Sequence, residues 1–147
     1  MHIPIQVDYG IRALVDLTER RAEGEALVRT AAIAHRQGIP EPFLARVMLN
    51  LRNGGMVEST RGPQGGHRLA KNPSNISMSM VMDCLGGNAP LLACLNDESN
   101  CNKWSSCSQK EVWSVVEEAM RQVLESTSIG DLAKRRCLEP IAIGGTA

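Results

Sequence analysis

Aromatic side chains are nearly missing from this 147-residue chain, which holds one Phe, one Tyr and two Trp. Met, Leu, Val, Ile and Ala must therefore fill its core. Such a core suits helices better than a sheet sandwich, which draws on aromatic and β-branched pairs. Long apolar runs are scarce as well. Asp8, Arg12 and Asp16 interrupt the first apolar stretch, so it does not resemble a signal peptide. No segment approaches the ~20 apolar residues of a membrane span. The expectation is a cytoplasmic protein with no membrane partner. Net charge is also lacking, since 16 basic residues balance 16 acidic ones. An apolar share of 43 % excludes a disordered chain, and the length fits one domain, or one with an appended helix.

The charge that is present is unevenly spread. Between residues 36 and 71 stand Arg36, Arg46, Arg52, Arg61, Arg68 and Lys71 against only Glu41 and Glu58, while acidic groups outnumber basic ones from residue 72 onward. A basic third joined to a mildly acidic remainder is the asymmetry expected when one face meets phosphate.

Hydrophobic spacing places helices around that basic third. Residues 5–21 read as an amphipathic helix with Val7, Ile11, Leu14 and Val15 on one face and Asp8, Arg12 and Glu19 on another. Asp8 therefore projects away from its own core. Thr30 is the expected N-cap of a second helix, Ala31 to Gln37, stopped by Gly38. A third helix follows Ile39, with Pro40, Glu41 and Pro42 in its first turn and Leu44, Val47, Met48 and Leu51 on its buried side. Two short helices joined by a glycine turn form a helix-turn-helix pattern. Asn53-Gly54-Gly55 closes the third helix. A strand (56–60), the turn Arg61-Gly62-Pro63-Gln64-Gly65-Gly66 and a return strand (67–71) follow. A glycine-rich, arginine-bearing hairpin directly after a helix-turn-helix is a wing. The fold class expected is mainly α: a winged helix-turn-helix with a small two-stranded wing and a long dimerisation helix.

Ile76 to Leu85 reads as a fourth helix. Residues 86–107 form an irregular polar loop too long to be an idle connector. Ser108-Gln109-Lys110-Glu111 is the expected capping box of a long helix running to Ser126. Its apolar positions Val112, Val115, Val116, Ala119, Met120, Val123 and Leu124, with Trp113 beside them, form a stripe suited to a dimer seam or to folding back on the domain. A short helix is expected from Gly130 to Arg136, and the tail to Ala147 has no pattern. The organisation expected is a DNA-binding unit (1–75), a helix with a cysteine loop (76–107), a dimerisation region (108–136) and a tail (137–147).

Three of the five cysteines, Cys94, Cys101 and Cys107, sit in that polar loop with six and five residues between them. In a reducing compartment they are poor disulfide candidates. Zinc fingers commonly divide neighbouring ligands by two residues, so this wider spacing suits something larger than one ion. Thiolates favour an iron–sulfur cluster, Zn or Cu(I). Two- and four-iron clusters take four protein ligands, leaving one place for Cys137 or for a carboxylate or imidazole. Cys84 reads as a core cysteine and His67 as a wing strand residue. No nucleophile–base pair or phosphate-cradling loop suggests an enzyme.

These residues together resemble the family of iron–sulfur winged-helix transcription regulators that includes IscR, NsrR and RirA. The resemblance spans residues 1–136. It rests on Val7-Asp8-Tyr9-Gly10-Ile11-Arg12-Ala13-Leu14, on Gly38-Ile39, on Leu51-Arg52-Asn53-Gly54-Gly55-Met56-Val57, on the wing turn, on the cysteine loop, and on Thr127-Ser128-Ile129-Gly130-Asp131-Leu132. It implies a bacterial homodimer with crossed long helices, a two- or four-iron cluster near the dimer interface, and palindromic double-stranded DNA as target. IscR-like members complete the cluster with a histidine three residues after the last cysteine, where this chain has Lys110. NsrR-like members use an aspartate of the partner's first helix, and Asp8 matches that position. The expected ligands are thus Cys94, Cys101, Cys107 and the partner subunit's Asp8. The spacing departs from the family's five and five by one residue in the first gap.

On DNA, the outward face of the third helix (Pro42, Ala45, Arg46, Leu49, Asn53) is expected in the major groove, with Arg46 reading guanine. Arg61 and Gln64 are assigned to the wing, and Arg29, Thr30 and Arg52 to the phosphate backbone. The function expected is a repressor sensing nitric oxide or redox stress. The rivals are a regulator of iron or cluster supply and a zinc-stabilised constitutive DNA binder.

Overall fold

A computed structural model describes residues 2–134. The chain runs through helices α1 (Ile5–Ala22), α2 (Thr30–Gln37) and α3 (Glu41–Asn53), then strands β1 (Val57–Thr60) and β2 (Gly66–Leu69). It continues through α4 (Met78–Cys84), the short α5 (Ala93–Asn96), the long α6 (Lys110–Ser126) and α7 (Ile129–Ala133). Among the described residues no helix is long and apolar enough to cross a membrane. The anticipated tail and Cys137 lie outside the described residues.

One aliphatic core joins α1, α2, α3, the hairpin, α4 and α7. Its fully buried side chains include Leu14, Ile33, Leu44, Met48, Leu51, Met56, Ile76, Leu85 and Ile129, with no aromatic among them. Helix α3 contributes Leu44, Val47, Met48 and Leu51, the i, i+3, i+4, i+7 pattern of one helical face. Helix α1 buries Val7, Gly10, Ala13, Leu14 and Leu17, so the inward stripe is rotated from the one anticipated, and Ile11 and Val15 sit at its margin. Gly10 lies on this inward stripe, against Leu85 and Val81 at α4. A Cβ on Gly10 would stand 2.3 Å from Leu85 Cδ1, so a larger residue there would require the Leu85 side chain to shift.

Helix α2 ends at Gly38, whose φ of 62° is left-handed backbone that glycine adopts freely. Helix α3 starts directly afterwards with Pro40 as N-cap and Pro42 in the first turn, where a missing amide hydrogen costs nothing. Beyond α6 the chain returns to the core. Ser77 pairs with Ser128 in an antiparallel bridge, flanked by Met78 N–H to the Thr127 carbonyl at 2.9 Å and Ile129 N–H to the Ile76 carbonyl at 2.8 Å. This stitch holds the C-terminal end of α6 while the rest of the helix runs outward.

Three local expectations are corrected. Thr30 is the first residue of α2 rather than its side-chain cap, because its hydroxyl is bonded to His67 Nε2 at 2.7 Å. No capping box forms at the start of α6, where the Gln109 side-chain oxygen instead accepts from Trp113 Nε1 at 2.9 Å. The capping box stands at α7, between Ser128 and Asp131. The segment 86–107 also carries structure of its own: α5 and two 3₁₀ turns, Glu98–Asn100 and Trp104–Ser106.

Candidate nucleic-acid interface and cysteine loop

The two strands pair antiparallel from Val57–Leu69 to Thr60–Gly66. Their hairpin is locked to the helix-turn-helix at its base. Val28 and His67 exchange backbone hydrogen bonds of 2.9 and 2.8 Å, so Val28, two residues before α2, extends the sheet. The imidazole of His67 completes the joint: Nε2 meets the Thr30 hydroxyl and Nδ1 meets the Ser59 hydroxyl, each at 2.7 Å. Burial, and then the nearby Arg52 guanidinium, hold the His67 imidazole below its usual pKa. With both ring nitrogens engaged and the neutral form favoured, His67 acts as a brace between wing and helix α2. The Arg29 guanidinium adds a bond to the Pro63 carbonyl at the wing turn.

Gly66 is required for this joint. A Cβ there would lie 2.9 Å from the Val28 carbonyl carbon and oxygen, which are backbone and cannot swing aside.

The assigned DNA-facing residues divide into two groups. Pro42, Arg46, Arg52, Arg61 and Gln64 are exposed, on α3 and on the wing turn. The side chains of Arg46 and Arg61 make no hydrogen bond or ion pair among the described residues. Arg29, which is also exposed, and the half-buried Thr30 make bonds to the wing. They line a cleft of about 370 Å³ together with Glu41, Gly62, Pro63 and His67, and their bonds to Pro63 and His67 tie the start of α2 to the wing.

Two features escape the sequence reading. Phe43, the single phenylalanine, is 57 % exposed on α3. It falls just beside the buried stripe, and an exposed aromatic within a helix-turn-helix is the signal that finds it. Asp16, which reads as a mere interruption of an apolar stretch, is buried. It accepts from Arg36 Nε at 2.8 Å, from Arg36 Nη2 at 2.7 Å and from Gln37 Nε2 at 3.2 Å. The Asp16 carboxylate holds the Arg36 guanidinium above its ordinary pKa. This two-pronged clamp, with a bond from Arg12 to the Gln37 carbonyl, sets α2 against α1.

Cys94, Cys101 and Cys107 are free and half-buried. Cys94 lies on α5, while Cys101 and Cys107 each follow a 3₁₀ turn. Three soft donors in one polar loop are chemically suited to an iron–sulfur cluster. They are not gathered as single-ion ligands, since among the described residues no three His, Cys, Asp or Glu side chains form a group able to hold a metal ion. The loop is tied to α6 by Leu91 N–H, which donates to Glu117 Oε1 at 3.3 Å, and by Lys110 Nζ, 4.9 Å from the Trp104 ring centroid. Asp8 projects from the exposed side of α1 and pairs with Arg12 at 3.3 Å. Cys84 differs in kind. Its thiol donates to the Asn50 carbonyl at 3.2 Å, and burial pushes its pKa up, which marks it as a protonated packing residue.

Comparison with known proteins agrees with this architecture. The IscR transcriptional regulator of Aliivibrio salmonicida is 31 % identical over 124 residues, covering 84 % of this chain and 72 % of that protein. The solved structure of T. potens IscR superposes with a TM-score of 0.72 at 30 % identity, covering 92 % of this chain and 88 % of the other. CymR, the global cysteine regulator of B. subtilis, superposes with a TM-score of 0.77 at 27 % identity, covering 93 % and 99 %. These relatives are transcription regulators rather than enzymes, and residues 3–135 match the family described as Rrf2, iron-dependent transcriptional regulator. The chain belongs to the Rrf2 family of DNA-binding transcription regulators.

Proposed function

We propose that this regulator is a cytoplasmic homodimeric repressor of palindromic double-stranded operators, switched by an iron–sulfur cluster of two or four irons that answers to nitric oxide or redox stress. The observation that carries the reading is the pairing of two things in one chain. A braced wing carries an unpaired Arg61 and α3 carries an exposed Arg46, while three free thiols lie in a loop tied to α6.

Residues 1–75 do the reading. Arg46 offers two parallel donors to the guanine edge in the major groove. Arg61 and Gln64 act from the wing on the minor groove or its phosphates. Arg52, Arg29 and Thr30 position the DNA backbone, and the last two also hold the wing through Pro63 and His67. Residues 108–136 supply the dimer seam: Val112, Trp113, Val115 and Val116 of α6 are all exposed, Val115 to 68 %, and apolar area of this kind gains from cover by a second copy. Cys94, Cys101 and Cys107 would hold the cluster, with the partner subunit's Asp8 as fourth ligand in the manner of NsrR-like proteins. When bound, it would supply a centre reactive toward nitric oxide and oxygen. The protein's own part is mechanical. Order in the loop bears on α6 through Glu117 and Lys110, and hence on the spacing of the two reading heads.

A second reading, control of iron or cluster supply, is favoured by the family's description as iron-dependent. Anaerobic purification tests the common core of both. The protein should be brown, with sulfide matching iron, and a colourless protein holding one Zn per chain would overturn the cluster. Separate additions of nitric oxide, oxygen and chelator during operator binding then distinguish the signals. Asp8→Ala should make the cluster more labile or change its spectrum. An unchanged cluster removes Asp8 from the ligand set.

A further inference from the structure

Helix α3 carries two large apolar side chains that its own fold does not use. Leu44, Val47, Met48 and Leu51 already complete the face turned to the core, yet Phe43 is 57 % exposed and Leu49 is 47 % exposed. At roughly 100° and 1.5 Å per residue, Phe43, Arg46 and Leu49 form a shallow spiral. The arginine stands at its centre, with one apolar side chain about 60° to either side. From first to last the three span about 9 Å of helix axis, the rise of two to three base-pair steps.

The surroundings say what covers this surface. Arg52 lies further along the same helix, and the wing turn that carries Arg61 shares a cleft with Glu41 in the first turn of α3; both arginines are exposed. A cationic frame around two apolar groups fits a polyanion that presents small apolar groups within a groove. In duplex DNA the only such group on a major-groove base edge is the thymine C5-methyl, which apolar side chains contact directly.

We propose that Phe43 and Leu49 are specificity-determining residues that pack on thymine C5-methyl groups to either side of the base read by Arg46. The half-site therefore carries thymines flanking a guanine. Phosphate contacts bring the protein to any duplex. The two apolar side chains penalise half-sites in which cytosine, which lacks the methyl, replaces thymine. This inference rests on the DNA-binding reading and deepens it by naming the bases preferred.

The test uses the full chain purified anaerobically. Preferred duplexes are selected from a random pool, and each thymine of the selected half-site is then replaced singly by deoxyuridine, which deletes only the methyl group. Two positions should lose affinity by about fourfold each, the value of one buried methyl-sized group. Phe43→Ala should abolish the thymine–uracil difference at one of them and Leu49→Ala at the other, with unchanged melting curves because both side chains are exposed. Half-sites without flanking thymines, equal binding of thymine and uracil duplexes, or variants that keep the full difference would each overturn the proposal while leaving the DNA-binding reading intact. Failure to select any duplex would instead overturn that reading, and the proposal with it.

Discussion

Replacing Arg36 by Met tests the physical account of how α2 is held. Asp16 is 1 % exposed, and its carboxylate takes three hydrogen bonds, two of them from Arg36. Breaking a buried pair by removing one partner costs about 3–5 kcal/mol, because an uncompensated charge stays behind. Here the Arg36 side chain is 33 % exposed, so water reaches the vacated place and the Gln37 amide still donates. The expected cost is the lower end, about 3 kcal/mol. For a chain of this size that lowers the melting temperature by roughly 6–12 °C. The assay is thermal and urea unfolding followed by far-ultraviolet circular dichroism. Asp16→Asn alone should also destabilise, and Arg36→Met added to it should cost clearly less than in the wild type, a coupling of about 1–3 kcal/mol. A loss below about 1 kcal/mol for Arg36→Met, or strict additivity in the double variant, would refute the clamp as a buried, charge-compensated pair.

Gly66→Ala forces a Cβ onto the Val28 backbone; stability should fall by about 1–3 kcal/mol, with a larger proportional loss in operator affinity measured by fluorescence anisotropy. Arg61→Ala should weaken binding to all duplexes alike and flatten the slope of log affinity against log salt by about 1, while leaving any cluster absorbance untouched. The His67 imidazole is held below the ordinary histidine value of 6.5, so above that pH both folded and unfolded chains keep it neutral and its contribution is complete. As the pH falls below 6.5 the unfolded chain takes the proton first and stability is lost through that window. Urea midpoints between pH 7.5 and 5 should therefore drop more for wild type than for His67→Gln, and parallel profiles would count against the brace. Leu44→Ala removes a fully buried side chain from α3, with an expected loss of about 2–5 kcal/mol in urea unfolding.

Periodicity and turn chemistry determined much of this protein without any knowledge of its contacts. The buried face of α3 follows from Leu44, Val47, Met48 and Leu51, and the stop of α2 from Gly38. The hairpin follows from two short runs around a glycine-rich turn. These are local effects, set by a helical repeat or by the φ a residue can adopt, and they are written within a few residues of where they act. The cysteine loop is legible for the same reason: its three thiols are neighbours in sequence, and their softness is a property of the side chain alone.

What only the tertiary structure decided are pairings between distant residues. Thr30 reads as a cap until His67, 37 residues away, claims its hydroxyl. Asp16 reads as a polar break until Arg36, 20 residues on, compensates its charge. Ser108 reads as the start of a capping box that does not form, whereas one forms at Ser128, where Ile129 is buried and the backbone of 76–78 pairs with 127–129. Phe43 likewise looks like one more apolar helix residue until packing turns it outward. A sequence fixes which groups a residue carries, but burial and long-range partners decide whether a hydroxyl caps or braces, and whether a carboxylate meets water or an arginine.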